Sequence, residues 1–277
     1  MTDCRILHGD CLELLRDMAD DSVDLVFCSP PYEAARTYGI GFDLRGQAWV
    51  DWAVARYVES YRVSRGLVGW VVEGQTRAYR WSATPALLMA DLHRAGVRLR
   101  KPPIYRRHGI PGSGGPDWLR GDFEFIVCAA SGRLPWSDNT AMGAPCKYPD
   151  GGAFSNRTRA GARVNPDRVK RGNNGRPPIT NPGNVIECRV GKGHMGSDLA
   201  ALNEAPFPQS LAEFFVRSFC PPGGIVLDPF CGSGTTLAAA LAHGRRAIGI
   251  DVRESQVELS SRRVQKALSE RSPTCRK

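Results

Sequence analysis

The chain has 277 residues, 42% hydrophobic and 23% charged, enough for one large α/β domain with an insertion and too apolar for a disordered chain. Its net charge of +9 favours a polyanionic partner, because such a surface attracts phosphate and releases counterions on binding. No stretch approaches the ~20 apolar residues of a membrane span, and the opening residues MTDCRILHGD lack the regions of a signal peptide. Nine cysteines without a C-x-x-C pair suit buried thiols in a reducing compartment, so a cytoplasmic protein with no metal, disulfide or membrane partner is expected.

The elements alternate. CRILHGD (4–10) reads as a short strand, CLELLRDM (11–18) as a short helix and SVDLVFCS (22–29) as a buried strand. That strand stops at Ser29, Pro30, Pro31 and Tyr32, which bring rigid backbone, a hydroxyl and an aromatic ring to its carboxyl end. QAWVDWAVARYVESYRVSR (47–65) has helical spacing, GLVGWVVEG (66–74) is a buried strand, and TPALLMADLHRAG (84–96) is a helix closed by Gly96. Residues 98–107 and 123–131 read as further strands, and Trp118 between them as a core residue.

From about Leu134 to Pro182 apolar periodicity vanishes. Between Cys146 and Pro177 eight basic residues face only Asp150 and Asp167, a local net charge of +6. A run of this length inside a compact domain is either functional or disordered. As a DNA-contacting segment its Arg157, Arg159, Arg163, Arg168, Lys170, Arg171 and Arg176 would neutralise phosphates and read base edges; the plain alternative is a solvated loop.

Regularity returns with a strand at 184–190 and a helix at 208–220. GIVLDPFCGSGTTLAAALAHGRRAIGIDV (224–252) then runs strand, glycine loop, helix and strand, and a last helix covers 253–270. In the loop, Gly232 and Gly234 leave room for a ligand against the backbone, and the free N–H groups of the following helix face a polar or anionic group. Asp251, about twenty residues on, stands where a carboxylate accepts both hydroxyls of a ribose, which implies a nucleoside-containing cofactor. A tight structural turn followed by a surface acid is the alternative.

DPFCGSGTT with GRRAIGIDV downstream, together with SPPY behind GDCLELL and SVDLVFC, resembles the amino-methylating DNA methyltransferases of restriction–modification systems and phages. The order of the two motifs, catalytic first and cofactor second, resembles the permuted beta group. The resemblance implies a Rossmann-like class I methyltransferase fold with a seven-stranded, mostly parallel sheet, helices on both faces, and the two loops at the carboxyl ends of adjacent central strands. It also implies S-adenosyl-L-methionine as cofactor, DNA as substrate, and admits a cognate restriction endonuclease and a homodimer as partners. Residues 1–133 would form the catalytic-motif half, 134–182 the basic target-recognition insertion and 183–277 the cofactor-binding half.

By this resemblance the cofactor residues are Asp10, Cys11, Phe207, Asp228, Pro229, Phe230, Gly232, Ser233, Gly234, Thr235, Thr236 and Asp251. Some have a second reading: Asp10 as a helix cap, Phe230 as core, and Thr235 as a cap rather than a partner of the methionine carboxylate. NEAPFP (203–208) departs from the family's HPAPFP stretch at Asn203 and Glu204.

An exocyclic amino group is a poor nucleophile because its lone pair is delocalised into the ring. Acceptors for both its N–H bonds favour a pyramidal nitrogen, and the Ser29 hydroxyl and the Pro30 carbonyl fill that role. Prolines direct carbonyls without competing N–H donors, and Tyr32 offers a stacking face to an extruded base. Cys28 is the rival, as a nucleophile for carbon-5 methylation, but strand alternation turns it away from Ser29 and favours a buried thiol. Serine at position 29 tilts the base toward cytosine N4, with adenine N6 as the alternative; a non-catalytic nucleic-acid binder, and methylation of RNA or a protein glutamine, are more distant readings.

Overall fold

A computed structural model describes residues 3–34, 38–108, 117–146, 156–157, 159–164, 178–191 and 193–271. Eight strands form one sheet: β1 (Cys4–His8), β2 (Val23–Cys28), β3 (Ser64–Val72), β4 (Ile104–His108), β5 (Phe123–Ala129), β6 (Val185–Arg189), β7 (Ile225–Asp228) and β8 (Arg246–Asp251). Their order across the sheet is β1-β8-β7-β2-β3-β5-β4-β6. All run in one direction except β5, which is antiparallel to both β3 and β4.

The expected count of seven is therefore short by one. The eighth strand, β6, extends the edge by pairing parallel with β4, and Glu187 takes Arg106 at 3.1 Å and His108 at 2.9 Å across that pair. The strand read from Arg98 begins only at Ile104, because Pro102 and Pro103 have no N–H for the ladder. Leu99 makes just an isolated bridge to Ala129.

β2 lies between β7 and β3 and is buried along its whole length. Its side chains alternate, as the pleat requires. Leu25 and Phe27 face a core shared with α4 (Gln209–Phe219), α5 (Thr235–Ala242) and α6 (Glu254–Arg271), where Phe27 stacks on Phe215 at 4.3 Å. Val26 and Cys28 face the opposite core, beneath α1 (Cys11–Arg16), α2 (Gly46–Val63) and α3 (Thr84–Arg94). Both faces of the sheet are thus covered, which permits the unbroken apolar run of β2.

Asp24 ties three strands together: its carboxylate pairs with Arg65 of β3 at 2.7 Å and accepts the Ile225 N–H of β7 at 2.8 Å. Burial pushes this carboxyl up, but the Arg65 and Ile225 bonds outweigh it and hold it below the usual range.

Trp118 is 79% exposed, contrary to the core reading, and Leu119 beside it is 82% exposed. They occupy a turn among Asp117, Arg120 and Asp122, outside any strand or helix that would carry them into the core. In the basic insertion, Asn156–Arg157 pairs with Arg163–Val164 as a short antiparallel ribbon, and Arg159 is exposed. Arg168, Lys170, Arg171 and Arg176 lie outside the described residues.

Candidate active site

Parallel strands end together, so the loops after β1, β8, β7 and β2 meet at one edge of the sheet. There they surround a cavity of about 620 Å³, within the range that holds a cofactor-sized ligand. β7 and β2 are hydrogen-bonded neighbours, with Val226 opposite Leu25 and Leu227 opposite Val26. The DPFCGSG and SPPY loops are side by side for that reason.

One wall comes from β1, β7 and β8. Asp10 accepts the Leu12 N–H at 2.7 Å as the cap of α1, and its other oxygen pairs with Arg56 at 2.7 Å, so the cap reading holds while the residue also faces the cavity. Asp228 is 2% exposed and accepts the Phe230 N–H at 3.0 Å; burial pushes its carboxyl up to about 7. Asp251 accepts the Gly232 N–H at 3.0 Å and the Arg253 N–H at 2.9 Å, which fixes the glycine loop to the end of β8.

Cys11, Phe207, Pro229, Phe230, Gly232 and Thr235 line the same cavity. Ser233, Gly234 and Thr236 are buried behind its wall. Gly232 lines the cavity, and both glycines also serve the packing of the loop itself. A Cβ on Gly234 would meet Ser260 of α6 at 3.0 Å, and one on Gly232 would meet the Asn203 side chain at 2.8 Å. What glycine supplies is the left-handed backbone, at φ +48° for Gly232 and +78° for Gly234, and close packing of the loop on its own protein.

Phe230 is both wall and core: its ring meets Trp70 edge-on at 5.3 Å and Trp52 at 5.7 Å. Arg56 lies over Trp52 at 4.5 Å, and Phe42 closes on the same indole at 5.0 Å.

The other wall carries Ser29, Pro30, Pro31 and Tyr32. Trp49 donates its indole N–H to the Pro31 carbonyl at 2.9 Å, which pins the second proline from behind. The Tyr32 hydroxyl donates to Glu124 Oε2 at 2.7 Å, and Glu124 Oε1 takes Arg107 at 3.0 Å. Burial raises the Glu124 carboxyl against the opposing pull of Arg107 and Tyr32. Burial, then the nearby Glu124, push the Tyr32 phenol well up, so it stays a neutral donor. Cys28 is fully buried in β2 with its thiol pushed well up by burial, unlike an activated nucleophile.

Sequence reading missed Trp52, Arg56, Tyr105, Arg107, Glu124, Met195 and Arg253, all of which line the cavity. A signal existed for one of them: Glu124 is an acid inside the otherwise apolar FEFIVCAA. Among the described residues no cluster of His, Cys, Asp or Glu is placed to hold a metal, and no helix is long and apolar enough to cross a membrane.

A model of the DNA methylase family of N6 and N4 type matches residues 23–262. The chain belongs to that family. It is 27% identical over 267 residues to the DNA adenine methyltransferase YhdJ of Escherichia coli K12, covering 94% of this chain and 82% of the relative. Its fold is similar to that of the PvuII cytosine-N4-specific DNA methyltransferase, with a TM-score of 0.71 at 18% identity over 97% of this chain and 91% of that one. It is also similar to a putative DNA modification methylase of Thermus thermophilus solved with S-adenosyl-L-methionine, with a TM-score of 0.62 at 25% identity over 95% of this chain and 93% of that one. The protein is accordingly a DNA methyltransferase that uses S-adenosylmethionine, and the cavity suits that cofactor in size, in its buried acids and in its aromatic side.

Proposed function

We propose that this methyltransferase modifies the exocyclic N4 of a cytosine taken out of duplex DNA. The observation that carries the proposal is Ser29 followed by Pro30 at the end of β2, on the cavity wall and next to the glycine loop of β7. The Ser29 hydroxyl and the Pro30 carbonyl accept the two N–H bonds of the amino group, and the nitrogen lone pair is thereby freed from the ring. Bound S-adenosylmethionine supplies the electrophilic methyl group. Tyr32, tethered to Glu124, gives the flipped base a stacking face, and that contact offsets the few kcal/mol lost on leaving the duplex.

On the cofactor side, Asp251 takes the ribose hydroxyls, Asp228 and Phe230 the methionine end, and Thr235 at the start of α5 the carboxylate. Holding both partners in contact supplies much of the remaining rate. The basic insertion at 134–182 contacts the DNA, with Arg157, Arg159 and Arg163 on phosphates.

Adenine N6 is the second reading, favoured by the name of the Escherichia coli relative. Nucleoside mass spectrometry of DNA treated with the protein and S-adenosylmethionine decides between them. N4-methyl-2′-deoxycytidine is expected; N6-methyl-2′-deoxyadenosine would overturn the base assignment.

A further inference from the structure

Arg263 of α6 is 2% exposed, an unusual place for a guanidinium. Among the described residues no carboxylate pairs with it. Its partners are all neutral: Thr235 Oγ1 at 2.8 Å, Ser233 Oγ at 3.4 Å, the Met195 carbonyl at 2.8 Å and Gln209 Oε1 at 3.2 Å. The buried Nε–H has no partner among the described residues. Burial draws the guanidinium down to about 10, which still leaves it charged at neutral pH.

A buried charge without a counter-ion is costly, and proteins keep one where an anion comes to meet it. The direction from which an anion would come is given by Thr235, the one of these hydroxyls on the cavity wall. Because a guanidinium only donates, the Thr235 oxygen is committed as its acceptor, and the hydroxyl proton is left to be donated elsewhere.

We propose that Arg263 is a positioning residue that prepares the cofactor site for a carboxylate. It orients the Thr235 hydroxyl as a donor into the cavity and supplies the buried positive charge that the carboxylate of the amino-acid moiety neutralises. The inference rests on the assignment of Thr235 to that carboxylate. A mere clamp on the glycine loop would hold every adenosine-containing ligand equally. A carboxylate receiver discriminates among them.

The test is calorimetric binding of two probes, S-adenosylhomocysteine, which has the carboxylate, and 5′-methylthioadenosine, which lacks the whole amino-acid part. Arg263→Gln is expected to weaken S-adenosylhomocysteine about 10- to 100-fold while methylthioadenosine changes by less than about twofold, with Arg263→Lys recovering part of the loss. Thr235→Val keeps the buried charge but removes the hydroxyl, and it is expected to weaken S-adenosylhomocysteine selectively even if Arg263→Gln fails to fold. Equal loss for both probes, or no loss, would overturn the inference and leave the cofactor assignment standing. Failure of the wild-type protein to bind S-adenosylhomocysteine would overturn both.

Discussion

The two walls of the cavity are built in different ways. On the cofactor wall part of the hydrogen bonding is local, since Asp228 bonds the N–H two residues on and Asp10 does the same, while Asp10 also takes Arg56 and Asp251 reaches back to Gly232. The wall that carries Ser29–Tyr32, the base-facing one in the proposed function, is assembled from distant parts, since Tyr32 reaches Glu124 across 92 residues and Pro31 is pinned by Trp49 of α2. A wall of the first kind recognises one fixed ligand and is preformed by backbone geometry. One of the second kind depends on how strands β2, β3, β5 and β4 follow one another across the sheet.

If the walls are separable, removing an acceptor from the base-facing side leaves cofactor binding alone. Ser29→Ala is expected to lower the single-turnover methylation rate about 100- to 1000-fold, the scale of losing one preorganised hydrogen-bonding group at a reacting centre. Its affinity for S-adenosylmethionine should stay within about twofold, and a comparable fall in that affinity would break the distinction. Asp24→Asn attacks both walls from below, through the β2–β3–β7 junction. Urea denaturation should register a loss of about 2 kcal/mol, since one partner of a largely buried pair is left uncompensated but Arg65 is partly solvated. Because that carboxyl is held low, its contribution is present at neutral pH and fades as pH falls through the folded value.

Glu124→Gln keeps an acceptor for Tyr32 but cancels the charge facing Arg107. Turnover on DNA should fall about tenfold with cofactor affinity preserved, the size of one charge-assisted bond. The smallest effect belongs to the cofactor wall. Asp228, raised to about 7, favours the folded protein at low pH and loses that advantage as pH rises through 7. The cationic cofactor prefers the ionised form, so its affinity should climb about threefold from pH 6 to 8, and Asp228→Asn should flatten the climb.

What could be read without coordinates follows the same division. Asp228, Thr235, Asp251 and the Ser29–Tyr32 run were legible because each belongs to a strand-loop signature contained in a few residues. Glu124 and Arg107 were not, since nothing local in IYRRH or FEFIVCA says that β5 reverses between β3 and β4 and sets both beside Tyr32. That Gly232 and Gly234 also pack against Asn203 and Ser260 was not legible, because those residues come from other elements. Trp118 failed similarly: size and aromaticity suggested burial, and the turn that carries it offers no packing face.

The sequence by itself determined that β2 and β7 end in two chemically loaded loops, one of serine, proline and tyrosine and one rich in glycine, since strand period, proline and glycine act over neighbouring residues. Only the tertiary structure decided that those loops share a cavity, that an acid and an arginine tether the tyrosine between them, and that a charged Arg263 waits behind Thr235. Those outcomes depend on strand order and helix packing, where residues far apart in the chain exclude water together and set one another's charge and hydrogen bonding.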